Sequence, residues 1–397
     1  MYQVKDLTQL TVKDLWKEVK RGEELWGEIN RKVLSLVKII LESSLDEEIL
    51  EELQVNRYHR SDRRRGYRNG CYERSLCTRY GIIKTLRVPR TREGFTSTIL
   101  PRYQRRPSDV DKLIRECFLG GLSTRRVGEV LAPLCGEKIS PQTVSKITVK
   151  LNSEVAHYHS LFLGDNYQYL LLDGITMKVK SIVGVKKRLI LCAYGITPEG
   201  KRELISFRQR NSESENQWES FLQNLYQRGL QGNSLKLIVT DGCPGLHQAL
   251  EIVYPFIPKQ RCWAHKLRNV ANKLPRKLQE TCLIEAKGIY QAQTQREARD
   301  RFLHWATHWR ELAPKAVTCL ETDIDELVNF FNCPKGHWRK IRTTNAIERA
   351  FREVRRRTRP MSCFQNSASV DRIIYGVVSY LNNKWKEKPL SQFTQLS

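Results

Sequence analysis

The sequence predicts an α/β core interrupted by an all-helical insertion and preceded by a basic region of helices and β-hairpins. Three observations carry this prediction. Short apolar runs between residues 169 and 241 end in aspartates, at Asp173 and Asp241. The segment 271–331 has its apolar residues at helical rather than alternating spacing. Residues 57–126 alternate short runs with glycine punctuation and carry about 19 basic against about 6 acidic residues.

Composition sets the bounds. The chain has 397 residues, 40% of them hydrophobic, enough to bury a large core and to divide into two or three domains. Lys and Arg number 68 against 43 Asp and Glu, a formal charge of +25, and such an excess favours a polyanionic partner, with nucleic acid the leading candidate. A solvated basic face or a membrane-surface patch is the alternative. No stretch reaches the ~20 apolar residues of a membrane span, since the run 33–41 is interrupted by Lys38. The first residues lack the basic cap and apolar stretch of a signal peptide. Eleven cysteines, odd in number and scattered, do not read as a disulfide framework, so a reducing, cytoplasmic setting away from membranes is expected.

Residues 1–56 read as helical. Val33, Leu34, Leu36, Val37, Ile40 and Leu41 fall near helical spacing, and Ser44 is a candidate start for a second short helix through Leu53. Self-association or DNA contact are the roles open to this segment. Residues 57–108 form the basic β-hairpin region, punctuated at Asn69-Gly70, Tyr80-Gly81 and Glu93-Gly94, with Tyr58, Tyr67, Tyr72, Tyr80 and Tyr103 among the arginines. Residues 109–155 read as three helices. Val110, Leu113, Ile114, Cys117 and Phe118 mark the first, Ser123 opens the second, and Ser140-Pro141 opens the third, Ser suiting the N-cap and Pro the first helical position. This is a helix-turn-helix pattern whose last helix would show Gln142, Thr143, Ser145 and Lys146 to a major groove. A plain three-helix packing unit fits the same residues.

Residues 160–270 carry the first part of the core. The runs 170–173, 177–183 and 189–195 fit an antiparallel meander extended by 203–208, then comes a helix over 215–228 and a strand over 235–241. Three strands, a helix and a strand, with carboxylates at the first and fourth strand ends, follow the order of a ribonuclease H-like core. Asp241 lies 68 residues after Asp173, which accommodates these elements, but Glu348 lies 107 residues further on, too far for one helix and one strand. A helical insertion over 271–340 fills the gap. Residues 341–397 complete the core, with Glu348 in the first turn of a helix and a C-terminal helix after it.

Asp173, Asp241 and Glu348 could therefore converge. Hard divalent cations take oxygen ligands and keep several waters, so a few carboxylates and substrate phosphate oxygens complete their shells. Each residue also has a plainer reading: a strand-end Asp is often a turn former, Asp241-Gly242 is a good turn dipeptide, and Glu348 could close a capping box with Asn345. Arg352, Arg355 and Arg359 lie at i+4, i+7 and i+11 from Glu348, as DNA strands crossing the site would require, though exposed salt bridges would account for one or two of them. Cys262 and His265 have the spacing of a zinc half-site, with Cys333 and His337 as a possible second half. The preferred reading has Cys262 and His265 ending the strand after Asp241, with His265 bonded to a carboxylate or a DNA phosphate.

Several longer motifs occur in order: Arg64-Arg65-Gly66-Tyr67-Arg68-Asn69-Gly70, Leu86-Arg87-Val88-Pro89-Arg90, Gly121-Leu122-Ser123-Thr124-Arg125, Asp173-Gly174, Asp241-Gly242, Cys262-Trp263-Ala264-His265, and His337-Trp338-Arg339-Lys340-Ile341-Arg342-Thr343-Thr344-Asn345 running on to Arg359. In these the chain resembles transposases of the Mutator-type IS256 family, over most of residues 57–385. The resemblance implies a DDE transposase with its acidic triad at Asp173, Asp241 and Glu348, a Cys/His pair near the active site, and a ribonuclease H-like fold with an all-helical insertion. It implies Mg²⁺ or Mn²⁺ as cofactor, as two ions, and double-stranded DNA as partner, both terminal inverted repeats and target. A homodimer or higher homo-oligomer, associated with the nucleoid, is expected. Arg64, Arg65, Arg68, Arg125, Arg126 and Arg356 join the residues named above as candidate DNA contacts. A structure-selective nuclease on the same fold and a catalytically inactive DNA-binding regulator are the alternatives.

Overall fold

The computed structural model describes residues 22–102, 104–181, 184–361, 363–364 and 366–394. The start of the expected N-terminal segment, Tyr103 and Val183 lie outside the described residues. The chain forms two compact units, one made by residues up to Phe118 together with Leu122–Val149, the other by Leu119–Gly121 and everything from Lys150 onward.

Among the described residues, the first element of the first unit is one long helix, α1 (Gly22–Leu53), where the sequence suggested two. Ser44 does not start a new helix because the apolar stripe runs straight through it: Leu34, Val37, Leu41, Leu45, Ile49 and Leu53 recur at helical spacing, and the last three are buried. A serine inside a helix costs only a few tenths of a kcal/mol relative to good helix formers, less than a broken stripe would. That stripe packs on a hairpin, β1 (Arg68–Thr78) and β2 (Gly81–Thr91), through Leu76, Ile83, Leu86 and Val88. Asn69-Gly70 is not a hairpin turn. It sits inside β1, where the register slips between Arg68 and Cys71 and Gly70 takes φ +67, a bulge that glycine permits. The actual turn is at Arg79-Tyr80, closed by the Thr78 hydroxyl donating to Gly81 O at 2.8 Å. Three helices follow, α2 (Ser108–Leu119), α3 (Thr124–Cys135) and α4 (Pro141–Val149). Ser123 Oγ accepts from Arg126 N and Ser140 Oγ from Thr143 N, so both serines cap the helices they precede.

The second unit begins with α5 (Leu151–Ser160) and is built on a mixed five-stranded sheet. Its strands are β3 (Tyr169–Ser181), β4 (Gly184–Ile196), β5 (Arg202–Arg210), β6 (Leu237–Thr240) and β7 (Lys259–Arg261), in the order β5-β4-β3-β6-β7. β3, β4 and β5 form the antiparallel meander; β6 and β7 add in parallel. α6 (Glu215–Gln227) and α7 (Pro244–Val253) make the crossovers and bury Trp218, Phe221, Leu222, Leu225, Leu246 and Leu250 against one face of the sheet. The four residues of β6 are all buried, which is why this strand reads as a plain apolar run. After α8 (Trp263–Ala271) the chain is helical: α9 (Arg276–Tyr290), α10 (Gln295–Trp309), α11 (Pro314–Glu321), α12 (Ile324–Leu327), two 3₁₀ turns and α13 (Trp338–Ile341). It returns with α14 (Asn345–Thr358), α15 (Ser367–Lys386) and α16 (Ser391–Thr394). No helix among the described residues is long and apolar enough to cross a membrane, and all eleven cysteines are free thiols.

Candidate active site

Strand register brings the first two carboxylates together. β3 and β6 run parallel with Leu171 opposite Val239, so two residues further along each chain stand Asp173 and Asp241. Side chains alternate along a strand: Leu170, Leu172 and Ile238 enter the core under α6 and α7, and Leu171, Val239 and the two aspartates face the other way. Asp173 does not end its strand, as the sequence suggested. β3 continues through Gly174 to Ser181, with Asp173 opposite Cys192 of β4. It is β6 that stops there, at Thr240, while β3 runs on.

Local bonds fix the pair. Asp173 is 5% exposed, and its Oδ1 accepts from Gly174 N at 2.7 Å. Asp241 Oδ1 accepts from Cys243 N at 3.0 Å, and Gly242 at φ +91 turns the chain away from the strand, a conformation glycine adopts without strain. Arg261, at the end of β7, donates through Nη1 to Gly242 O at 3.4 Å and through Nε to Glu326 at 2.9 Å, and it pairs with Asp323 at 3.2 Å.

Glu348 comes from the first turn of α14, as its spacing predicted. It is not a capping residue. The helix starts after Thr344 and takes no side-chain cap bond there, so Asn345 is already inside it. Glu348 Oε1 stands 3.5 Å from His265 Nε2, while His265 Nδ1 lies 3.4 Å from Thr344 Oγ1. The Thr344 amide and hydroxyl both donate to Cys262 Sγ, at 3.2 and 3.4 Å. Cys262 follows β7 as expected, but His265 lies on α8, because Cys262 is the N-cap of that helix. Between them Trp263 is buried and donates to Leu327 O at 2.7 Å, anchoring the turn.

The electrostatics agree with the geometry. Burial and then the charge of Asp241 push the Asp173 carboxyl up to about 7. His265 is raised to about 9, first by its hydrogen bond to Cys262 and then, against burial, by the charges of Cys262, Asp173 and Asp241. Burial opposes ionisation of Cys262, but hydrogen bonds from His265 and Thr344 hold its thiol below the ordinary value. Among the described residues no three His, Cys, Asp or Glu side chains close on one point tightly enough to enclose an ion unaided. Carboxylate oxygens that are desolvated and repel one another are nonetheless the donors a hard divalent cation takes, and an open set leaves positions for water and phosphate.

A fourth carboxylate escaped the sequence reading. Glu213, between β5 and α6, places Oε1 3.1 Å from where a Cβ on Gly174 would stand, and burial and then the charge of Asp241 raise its pKa. Strand direction was the available signal. β5 runs the same way as β3 and β6, so the loop after it reaches the same edge of the sheet. The second half of the possible zinc site has separate partners: His337 Nδ1 bonds the Tyr169 hydroxyl at 2.8 Å and its ring stacks on Phe393.

The candidate DNA contacts divide by what they touch. Arg65, Arg125, Gln142 and Lys146 are exposed. Thr143 accepts from the Ser140 hydroxyl, Arg126 pairs with Glu129, Arg68 pairs with Asp46, and Arg64 donates to His59 O and lies over the Tyr67 ring. Arg352, Arg355 and Arg356 on α14, with Arg359 just past its end, are exposed around one surface depression. Glu353 is taken by Arg356 and Arg357.

Residues 10–388 match the model of the family described as "Transposase, Mutator family". The chain is 32% identical over 353 residues to the transposase for insertion sequence element ISRM5 of Rhizobium meliloti, covering 89% of this chain and 88% of that one. It is 33% identical over 356 residues to the transposase for IS256 in transposon Tn4001 of Staphylococcus aureus, covering 88% and 90%. With the transposase for IS406 of Burkholderia multivorans the identity is 34% over 332 residues, 83% and 84% of the two chains. The IS256-type resemblance carried by the sequence motifs is thus borne out, and the chain is an insertion-sequence transposase that belongs to the Mutator family.

Proposed function

We propose that this transposase works by DDE chemistry on a ribonuclease H-like core, binding the terminal inverted repeats of its element, cleaving there and joining the freed end to target DNA. The observation that carries the reading is the parallel register that sets Asp173 beside Asp241, with Glu348 reaching the same group of charges through His265. The strand order, three antiparallel strands followed by two parallel ones with helical crossovers, supports the core assignment. Asp173, Asp241 and Glu348 would hold two Mg²⁺ or Mn²⁺ ions, whose chemistry when bound is to activate the attacking oxygen and to steady the leaving one.

The chain's own groups have definite tasks. Burial on the central strand β3 fixes Asp173 and excludes bulk water, Gly242 and Arg261 fix Asp241, and His265 keeps a positive charge beside Glu348 and orients it. In the first displacement water attacks a phosphodiester and the bond to the 3′ oxygen breaks, freeing a 3′ hydroxyl; in the second that hydroxyl attacks a target phosphodiester, forming a new P–O bond while the bond to the target's 3′ oxygen breaks and that oxygen leaves as a 3′ hydroxyl. Neither step needs a covalent enzyme intermediate. Gln142 and Lys146 on α4 would read repeat DNA as part of a helix-turn-helix over 109–155, while Arg64, Arg65, Arg68, Arg125 and Arg126 in the same compact unit, and Arg352, Arg355 and Arg356 on α14 with Arg359 just past its end, track its backbone. The segments 1–56, 57–108, 160–270, 271–340 and 341–397 keep the roles of N-terminal helix, basic hairpin, core, helical insertion and core completion. A homodimer or larger homo-oligomer in the nucleoid-containing cytoplasm would pair two element ends.

A strand-transfer assay with terminal-repeat DNA and target DNA tests the proposal. Joined product in the presence of Mg²⁺ or Mn²⁺, lost in Asp173→Asn, Asp241→Asn and Glu348→Gln, is the expected result. Cleavage without joining would make the protein a nuclease; binding without either would make it a regulator.

A further inference from the structure

Basic residues that the proposed chemistry leaves unused gather on one cleft of about 920 Å³. It adjoins the acidic cluster, for Ala264 next to His265, and Thr343, Asn345 and Ala346 just before Glu348, form part of its wall. Besides Arg352 and Arg356, which the proposed DNA face already uses, six further cations line it: Arg202, Lys287, Arg339, Lys340, Arg342 and Arg349. Among the described residues none of the six has a carboxylate within ion-pair distance, and the one acid of the wall, Glu353, is already engaged by Arg356 and Arg357. Burial first, and then the neighbouring Arg349, Arg202 and Arg339, hold the Lys340 ammonium below its ordinary pKa. Folding does not gain from such crowding. A polyanion would relieve it.

The cleft's aromatic residues say which part of a nucleic acid it would take. Arg342 lies over the Tyr290 ring at 4.4 Å and Arg202 over the Trp385 ring at 5.3 Å, while Trp263 is buried. Guanidinium groups therefore occupy the ring faces on which bases would stack. Stacked in this way, an arginine is held with its N–H groups at the edge, the arrangement that meets phosphate oxygens, although Arg342 spends one on Tyr290 O at 3.5 Å and Arg202 bonds Tyr194. Size sets the second limit: the volume is that of a pocket for a molecule of drug size, room for a few nucleotides of one strand and not for a duplex.

We propose that this cleft binds the phosphodiester backbone of a short single-stranded stretch of DNA, without regard to sequence, next to the phosphate that reacts. The proposal rests on the assignment of the acidic cluster only for the reason a strand would be there, since cleavage beside Glu348 leaves a strand free to leave the duplex.

The test is binding of a fluorescent oligothymidine by the full chain across a salt series, with Arg339→Ala, Arg349→Ala and the charge reversal Arg339→Glu, and with Lys315→Ala, an exposed cation on α11, as control. Each alanine variant is expected to bind more weakly and to lower the magnitude of the log affinity against log salt slope by roughly 0.7, the value for one lost single-strand phosphate contact. Arg339→Glu should weaken binding further, Lys315→Ala should match wild type, and oligoadenosine should behave as oligothymidine. Unaltered affinity and slope in the cleft variants overturn the proposal. Competition by inorganic phosphate at the same concentration of phosphate groups also overturns it, because the cleft would then be a small-anion site. Asp241→Asn, measured alongside, should bind the oligonucleotide as wild type does or slightly tighter, so failure of the catalytic reading would leave this result standing.

Discussion

Replacing Asp241 by Asn should separate binding from chemistry in a way that depends on metal. The side chain is nearly isosteric and its Oδ1 can still accept from Cys243 N, so the turn at Gly242 should hold. What is lost is one negative charge beside Asp173, at the point to which the proposed chemistry brings a DNA phosphate. A carboxylate and a phosphate about 4 Å apart in water repel by on the order of 1 kcal/mol, about fivefold in affinity. In the presence of a chelator the variant should therefore bind terminal-repeat DNA up to about fivefold tighter than wild type at low salt, with the gap closing as salt screens it. With Mg²⁺ the wild type should recover that affinity, because the cation offsets the same charge, and the variant should not respond. Cleavage by the variant should be undetectable under both conditions. Fluorescence anisotropy in chelator and in Mg²⁺, beside a cleavage gel, measures all of this. Cleavage at near wild-type rate would remove Asp241 from the site, and weaker DNA binding in both conditions would mean that the aspartate supports the fold or the DNA directly.

The other predictions concern separate parts of the molecule. Arg352→Ala, Arg355→Ala and Arg359→Ala should each weaken binding equally across DNA sequences and lower the salt slope by roughly 0.7 to 0.9, whereas a purely structural role would leave the slope unchanged and alter stability by at most about 1 kcal/mol. Glu213→Gln should slow cleavage without changing affinity for terminal-repeat DNA; unaltered cleavage would place its carboxylate outside the reacting group. Leu45→Ala, deep between α1 and the hairpin, should cost about 2 to 5 kcal/mol in chemical denaturation, and a cost below about 1 kcal/mol would contradict the continuous stripe on α1.

The sequence showed some parts of the site and concealed others, for physical reasons. Glu348 was legible because a helix start announces itself by local pattern, and Ser123 and Ser140-Pro141 were legible for the same reason. Asp173 was placed on the right strand but at its end rather than inside it, since Gly174-Ile175-Thr176 breaks the apolar run without breaking the strand. Burial on β3 changes there because its neighbour β6 ends, and no local signal records where a distant strand stops. The two-helix reading of α1 failed in the opposite sense: a serine that could have started a helix was overruled by a hydrophobic stripe whose partner, the hairpin, lies up to 50 residues away. Glu213 was hidden because only the direction of three strands, not the residues around it, brings its loop to the aspartates.

The long gap between Asp241 and Glu348 is more than spacing. The helical stretch that fills it holds the segment on which His265 stands. Gln260 of β7, fully buried, donates to Leu327 O and accepts from Phe330 N; Trp263 donates to the same carbonyl; Lys266 pairs with Asp323; and Arg261 pairs with Asp323 and Glu326. Four residues on either side of Cys262 are thus tied to the short span 323–330. Buried groups of this kind are costly to leave unpaired, so displacing α12 would release β7, α8 and the Arg261 contact with Gly242 together. The position of His265 against Glu348, and the turn that sets Asp241, therefore both depend on the helical stretch, although it contributes no carboxylate to the site itself. Its distance from the reacting group in sequence is what allows it to act as a brace: a segment inserted between the second and third acids can grip the strand after the second while the helix bearing the third closes over it.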